Sequence, residues 1–337
     1  GLGYVYKRQQ QQTQNGLLVY GGPILTMQGM QPSYVDAMLI QDGKIRYTGT
    51  LSEAEKLAPH AKRLNLNHKT VIPGIIDAHS HLNSVGMQQT VANLYPPPDG
   101  KVVSIATLIQ EMKAWAKQNP TFVQATSGWI IGNGYDDAQL QEKAHPTATD
   151  LDQISTTQPV LILHQSGHLA SVNHKVLELL GINEKSRNSS GGVIRRVVGT
   201  NILNGVLEES VVIEVMLQAF KTVPPEMMQQ MALTAVQTYM KNGYTTVQEG
   251  RADRGTSELW RSLANQNKLA IDVVSYPDIS SEQAYMLEKG VSKNYVNHFR
   301  IGGVKISLDG SPQGKTAWLT EPYVVPPEGK DKNYRGY

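Results

Sequence analysis

The chain has 337 residues, 40% of them hydrophobic and 18% charged, which allows a sizeable core and excludes an intrinsically disordered chain. Thirty-one Lys and Arg against 29 Asp and Glu give a net charge of +2, without the basic surplus of a nucleic-acid binder. The absence of cysteine removes disulfide scaffolds, thiolate metal sites and cysteine nucleophiles together.

Residues 1–12, GLGYVYKRQQQQ, have neither helical nor strand periodicity. We expect a non-native leader, because VYKRQ reads like translated sequencing adapter; a disordered native tail is the alternative. No apolar run reaches 18 residues, and no charged segment leads into an apolar one, so the chain reads as cytoplasmic and without a membrane-spanning helix.

From 16 to 50 the pattern is β. GLLVYGGPILTM predicts a strand broken at Gly21, Gly22 and Pro23, and AMLIQ and KIRYTG flank Asp42-Gly43, a strong hairpin signal. Ser52 and Glu55 stand at capping-box spacing for a short helix. VIPGIIDAHSH (71–81) is an apolar run ending in polar residues, as when a buried parallel strand delivers a site at its C-terminal end.

Ser104 can cap a helix with Ile105, Leu108, Ile109, Met112 and Trp115 on one face. PVLILH (159–164) predicts a buried strand, NHKVLELL a helix ending at Gly181, and GVLEESVVIEVMLQAF a continuous helix. Residues 224–243 predict a longer helix opened by Pro225 and closed by Gly243. YTTVQEG, IDVVSY and IGGVKISLDG then alternate with helix-like SELWRSLANQNKL and EQAYMLEKG, which argues for parallel βα units.

His79-Ser80-His81 is the sharpest feature. On a strand, residues i and i+2 share a face, so both imidazoles converge, and neutral imidazoles suit zinc and similar ions. A surface pair is the alternative, but such a pair does not need an apolar strand beneath it. Phosphate loops, dinucleotide fingerprints and GxSxG elbows are absent.

GGPILTM, DGKI, VIPGIIDAHSH, HPTATDLD, PVLILHQSGHLASVN, GVLEE, GYTTVQEG and GGVKISLDGS, in this order, resemble the amidohydrolase superfamily. More narrowly the chain resembles amidohydrolase family 3, which includes N-substituted formamide deformylase-like proteins. The resemblance covers roughly residues 16–337. It implies a divalent metal, zinc in one or two ions, with His79 and His81 as ligands. It also implies Lys305 as a bridging lysine carboxylated on its amine, against the alternative of a lysine paired with Asp309 or another acid. Glu249 is a further candidate for the metal surroundings, or else a salt-bridge residue. Gly167-His168 is implied in the substrate pocket, or His168 is a satisfied loop histidine. Asn173 closes that loop, and Asp309 and Ser311 line the same cavity. Ser166 stands where the family usually has Asp. His60, His68, His145, His174 and His298 read as ordinary loop or helix residues.

The expected fold is α/β. A small β-sandwich (13–70), composite and incomplete within this chain, precedes a TIM-type (β/α) barrel of the metal-dependent hydrolase kind (71–337), with an insertion at about 86–225. Strands at 71–81, 243–249, 271–276 and 301–307 are half of eight, so the barrel is expected to be truncated at the C-terminus. The acid–base residue would then lie beyond 337. The implied activity is hydrolysis of carbon–nitrogen bonds other than peptide bonds in a small-molecule amide, formamide or cyclic imide by metal-activated water. No nucleic-acid or membrane partner is expected. The alternatives are a non-catalytic truncated fragment and a binding protein on a degenerate barrel.

Overall fold

The computed structural model describes residues 16–189, 191–327 and 329–336. The expected leader at 1–12 lies outside them. The chain divides into two compact units, within residues 1–75 and 76–337.

The first unit holds β1 (Leu17–Leu25), β2 (Tyr34–Gln41), β3 (Lys44–Gly49), helix α1 (Leu51–Leu57) and β4 (Lys62–Asn65), in the sheet order β3-β2-β1-β4. The Gly-Gly-Pro run does not end β1. It shifts the pairing register with β2 between Tyr20 and Ile24, as a bulge does. Asp42 and Gly43 both have positive φ, 52° and 71°, the backbone that a two-residue hairpin with the right twist requires. Thr50, rather than Ser52, caps α1 by accepting from the Glu53 amide. Leu18, Ala37, Leu39 and Ala54 form the core between helix and sheet. Among the described residues this unit is one sheet covered by a helix rather than two facing sheets.

The second unit opens with β5, which is two residues long (Ile75–Ile76), and α2 (Leu82–Thr90). The expected buried strand over 71–81 is therefore mostly not a strand, and Ile76 is 70% exposed. Pro73 cannot donate to a ladder, and Asp77 turns the chain just beyond β5.

Next come β6 (Ala92–Asn93), α3 (Ile105–Gln118), α4 (Pro120–Ala125), β7 (Ile130–Tyr135), α5 (Ala148–Asp152), β8 (Val160–His164), β9 (Leu169–Val172), α6 (His174–Leu179), β10 (Gly192–Arg196) and β11 (Leu203–Glu209). The strands form one six-stranded sheet, β10-β11-β9-β8-β7-β6. Ser104 and Thr107 make a reciprocal capping box on α3, whose Leu108, Ile109 and Met112 are buried. The continuous helix expected from GVLEE onward divides into β11 and α7 (Ser210–Phe220). The ladders that β9 and β10 offer on either side override the local helical pattern, and Glu209 at φ 54° marks the break.

Helix α8 (Pro225–Lys241) leads to β12 (Tyr244–Ala252), α9 (Arg254–Asn265), β13 (Asp272–Pro277), α10 (Ile279–Lys289) and β14 (Phe299–Ile301). The sheet order is β14-β13-β12-β5, with β12, β13 and β14 mutually parallel. Val247, Val273, Phe299 and Ile301 on the strands pack against Leu82 of α2, Ala235 of α8 and Trp260 of α9. Each large side chain buried there contributes on the order of 1.5–3 kcal/mol. This is a mixed α/β fold; no closed barrel is present among the described residues. The strand expected over 301–307 ends at Ile301, and Lys305 makes only an isolated bridge to Asp278.

Candidate metal centre

The turn after β5 is organised by Asp77. Its carboxylate accepts from the Gln248 amide at 3.0 Å, from the His79 amide at 3.3 Å and from the Ser80 hydroxyl. Tyr239 of α8 donates to Ser80 Oγ at 2.7 Å, and the Gly250 amide donates to Ser80 O at 2.8 Å. A turn held from both sides in this way replaces the strand that the sequence suggests. His81 forms an antiparallel bridge with Glu249 and opens α2.

Both imidazoles still converge. Their ring centroids lie 5.3 Å apart, edge to face. His79 Nδ1 donates to Gln248 Oε1 at 2.6 Å, which leaves the Nε2 lone pair available; such outer partners orient metal-binding histidines. On His81, burial is the first cause holding its pKa below the usual 6.5. The charges of His79, Lys305 and Arg251 act in the same direction, against Asp77. A neutral imidazole is the form that binds a metal.

Glu249 is 1% exposed. Burial pushes its carboxyl up to about 7, against the hydrogen bonds that it accepts. Its Oε2 accepts from the Asn83 amide at 2.7 Å and from Trp260 Nε1 at 3.2 Å, so this carboxylate caps the first turn of α2. No ion pair to it occurs among the described residues.

Lys305 is half-buried. Its amide donates to Pro277 O at 2.8 Å, and its carbonyl accepts from Ile279 at 3.0 Å. Asp309 instead accepts from the Trp318 amide at 3.1 Å, and the alternative Lys305–Asp309 pair is not formed. His168 Nδ1 lies 2.9 Å from Glu209 Oε2. Asn173 is fully buried, caps α6 and ties Val160, Ser155 and Gln158 together, a structural use of every polar atom. Ser311 Oγ accepts from the Gly314 amide at 3.2 Å.

A second polar group went unseen in the sequence reading. His164, 1% exposed, places Nε2 at 3.1 Å from Asp137 Oδ1 and 3.7 Å from Asp136 Oδ1. The ligand atoms of these three residues lie within 4.8 Å of one another, close enough to hold an ion. Each is also tied within the protein: His164 Nδ1 pairs with Ser166 Oγ at 2.9 Å, and Asp136 accepts from Gln139 at 3.1 Å and Gln313 at 3.3 Å. Burial pushes the Asp137 carboxyl up, but the His164 bond and the charges of His145, His164 and Lys315 outweigh it and hold it at about 2. Burial holds His145, bonded to Tyr135 at 3.0 Å, down to about 4. The available signal was the pair of acids closing the buried run IIGNGYDD, the pattern that singled out HSH.

Known proteins resemble this chain over half to nearly all of its length. Protein LONG AFTER FAR-RED 3 of Arabidopsis thaliana is 27% identical over 92% of the chain and 53% of its own length. N-substituted formamide deformylase of Arthrobacter pascens is 27% identical over 49% of the chain and 29% of its own length. A crystal structure of an uncharacterized metal-dependent hydrolase from Pyrococcus horikoshii superposes with a TM-score of 0.66 at 24% identity, over 93% of this chain and 58% of that one. The chain spans about half the length of the curated relatives that match almost all of it. No helix among the described residues is long and apolar enough to cross a membrane. The profile of the amidohydrolase family matches residues 63–335, and the chain belongs to that family.

Proposed function

We propose that this chain carries the first part of a metal-dependent hydrolase acting on carbon–nitrogen bonds other than peptide bonds, in a small amide, formamide or cyclic imide. The observation that carries the reading is the convergence of His79 and His81 at 5.3 Å, with His81 favoured neutral. The donor set fits a divalent ion of the zinc kind, one or two in number: two imidazoles and a half-buried lysine whose charge acts on His81 and which has no ion-pair partner among the described residues. When bound, such an ion supplies Lewis acidity and a water of lowered pKa.

The protein's own part is to hold these donors. Gln248 fixes the His79 ring, Asp77 and Tyr239 fix the turn between the histidines, and Glu249 fixes the helix that starts at His81. Lys305, in its neutral form, is assigned to add through Nζ to the carbon of CO2 and release one proton. The resulting carbamate would replace a cation that acts on His81 by an anionic donor. His168, Asp309 and Ser311 are assigned to substrate contacts, and Asn173 to holding the loop that carries His168. The four-stranded sheet is taken as the first half of a TIM-type barrel following the domain at 13–70, with 86–225 as its insertion. The family relationship and the relative named for formamide deformylation support the choice of bond.

The test is metal analysis of the purified chain after dialysis against zinc, with His79→Ala and His81→Ala beside the wild type. Stoichiometric metal in the wild type and its loss in both variants is the expected result. Retention of metal in either variant overturns the ligand assignment. The bond assignment is tested on the parent protein with a panel of formamides, amides and cyclic imides.

A further inference from the structure

Away from the histidine turn, the six-stranded sheet brings a serine, a histidine and an aspartate into one line. β7 and β8 are parallel neighbours with Tyr135 opposite His164, so Asp137, two residues past that pair, comes beside the last residue of β8. The turn from β8 into β9 closes through the Gly167 amide, which donates to His164 O at 2.9 Å, with Gly167 at φ 75°. Ser166 sits in that turn, so two paired strands and one tight turn fix all three residues.

The protons along this line follow from their partners. The Ser166 backbone N–H donates to His164 Nδ1 at 3.1 Å. A backbone amide can only donate, so Nδ1 carries the lone pair and Nε2 the proton. Nε2–H then donates to Asp137 Oδ1 at 3.1 Å, on a carboxyl held at about 2 despite burial. Ser166 Oγ accepts from the His168 amide at 3.2 Å and lies 2.9 Å from Nδ1, so its own proton points at that lone pair. A hydroxyl that donates to an imidazole, whose far N–H is held by a carboxylate, is the arrangement of an activated nucleophile. His164 is 1% exposed, whereas Ser166 is half-buried between exposed Gln165 and Gly167. Gly314 lies against Oγ, where a Cβ would stand 3.5 Å away, so no side chain of that residue covers the hydroxyl.

We propose that Ser166 is the nucleophile of a second activity, acyl transfer from small activated esters to water, with His164 as its base and Asp137 positioning that base. Oγ bonds to the acyl carbon while its proton passes to His164 Nδ1. The bond from that carbon to the leaving phenolate oxygen breaks, and the phenolate takes the proton from Nδ1 and departs as the phenol. Water then attacks the acyl carbon and gives a proton to Nδ1. The bond to Oγ breaks, Nδ1 returns the proton to Oγ, and the carboxylic acid is released. Esters with a good leaving group are the class that fits, because they ask least of oxyanion stabilisation.

The test is run on the full chain with a chelator present, so failure of the metal-centre reading leaves the result unaffected. A fluorophosphonate is expected to lose fluoride and leave a single adduct, mapped by mass spectrometry to Ser166. p-Nitrophenyl acetate is expected to release p-nitrophenol with turnover. Ser166→Ala is expected to abolish both. Asp137→Asn keeps the shape but cannot stabilise the imidazolium, and should lower kcat for p-nitrophenyl acetate about a hundredfold with KM unchanged. Circular dichroism checks that each variant folds, and if Asp137→Asn does not, the adduct and Ser166→Ala decide alone. No adduct on Ser166 of the wild type, unchanged p-nitrophenol release by Ser166→Ala, or unchanged kcat in a folded Asp137→Asn variant overturns the proposal.

Discussion

Glu249 Oε2 accepts the backbone N–H of Asn83 at 2.7 Å, so a carboxylate on a β-strand caps the helix whose preceding residue is His81. One acid thus ties β12 to the start of α2, and the same oxygen is shared with the indole of Trp260.

Glu249→Ala should cost about 1–3 kcal/mol in urea unfolding, because it strips a cap and leaves a buried indole N–H unsatisfied. Glu249→Gln keeps an acceptor in place and should cost much less, with metal content unchanged. Loss of metal in a folded Glu249→Gln variant would instead put this carboxylate among the ligands.

Gly250→Ala tests how closely β12 must approach the histidine turn. A Cβ there would stand 2.6 Å from Ser80 O and 2.8 Å from His79 Cε1, and the ring would have to move. Retained secondary structure with zinc affinity reduced about tenfold or more is expected, read by competition with a chromogenic chelator. A variant that binds zinc as the wild type does would show that the ring position is not critical.

Lys305 is probed by charge and by reactivity. Lys305→Arg retains the cation but cannot form a carbamate, and Lys305→Ala removes both. Both variants should lose metal and activity in the parent protein, and added short carboxylic acids should partly restore Lys305→Ala. Full activity of Lys305→Arg would end the bridging role.

Stability should fall in acid because of His145. Its folded pKa is held to about 4 against an ordinary 6.5, so the unfolded chain takes up the proton first as pH falls. Its contribution is present above pH 6.5 and is lost between 6.5 and 4. At about 1.4 kcal/mol per pH decade, that gap corresponds to about 3 kcal/mol. Asp137, held at about 2 against 3.8, extends the loss below pH 4. Urea midpoints between pH 7.5 and 4 should fall accordingly, and His145→Gln should flatten the upper part of the curve. An unchanged slope in that variant would assign the acid sensitivity elsewhere.

Elements specified by local chemistry were legible in the sequence: the Asp42-Gly43 hairpin, the Ser104 cap and the buried run at 160–164 all occur where the pattern puts them. GVLEE misled because its apolar spacing suits a helix, while two strands distant in sequence decide the outcome. The HSH pair was visible, but the reason for its convergence was not. A strand would have aligned the two rings by pleat; here a turn does so through Asp77, Ser80, Gln248 and Tyr239, and two of those three contacts span more than 150 residues of sequence. Asp136, Asp137 and His164 were missed for the same reason, since their proximity arises only when β7 and β8 pair.

Gly86 lies where α2 crosses α8, and any Cβ there would run into the carbonyl of Met231 and the side chain of Ala235. The position of the helix that begins at His81 is thus indexed against a backbone almost 150 residues downstream. A library of functional variants should therefore keep position 86 as glycine and position 235 small, although neither is assigned a contact with an ion or a substrate. Selection for catalysis would leave its mark on a helix crossing that contains no chemistry of its own.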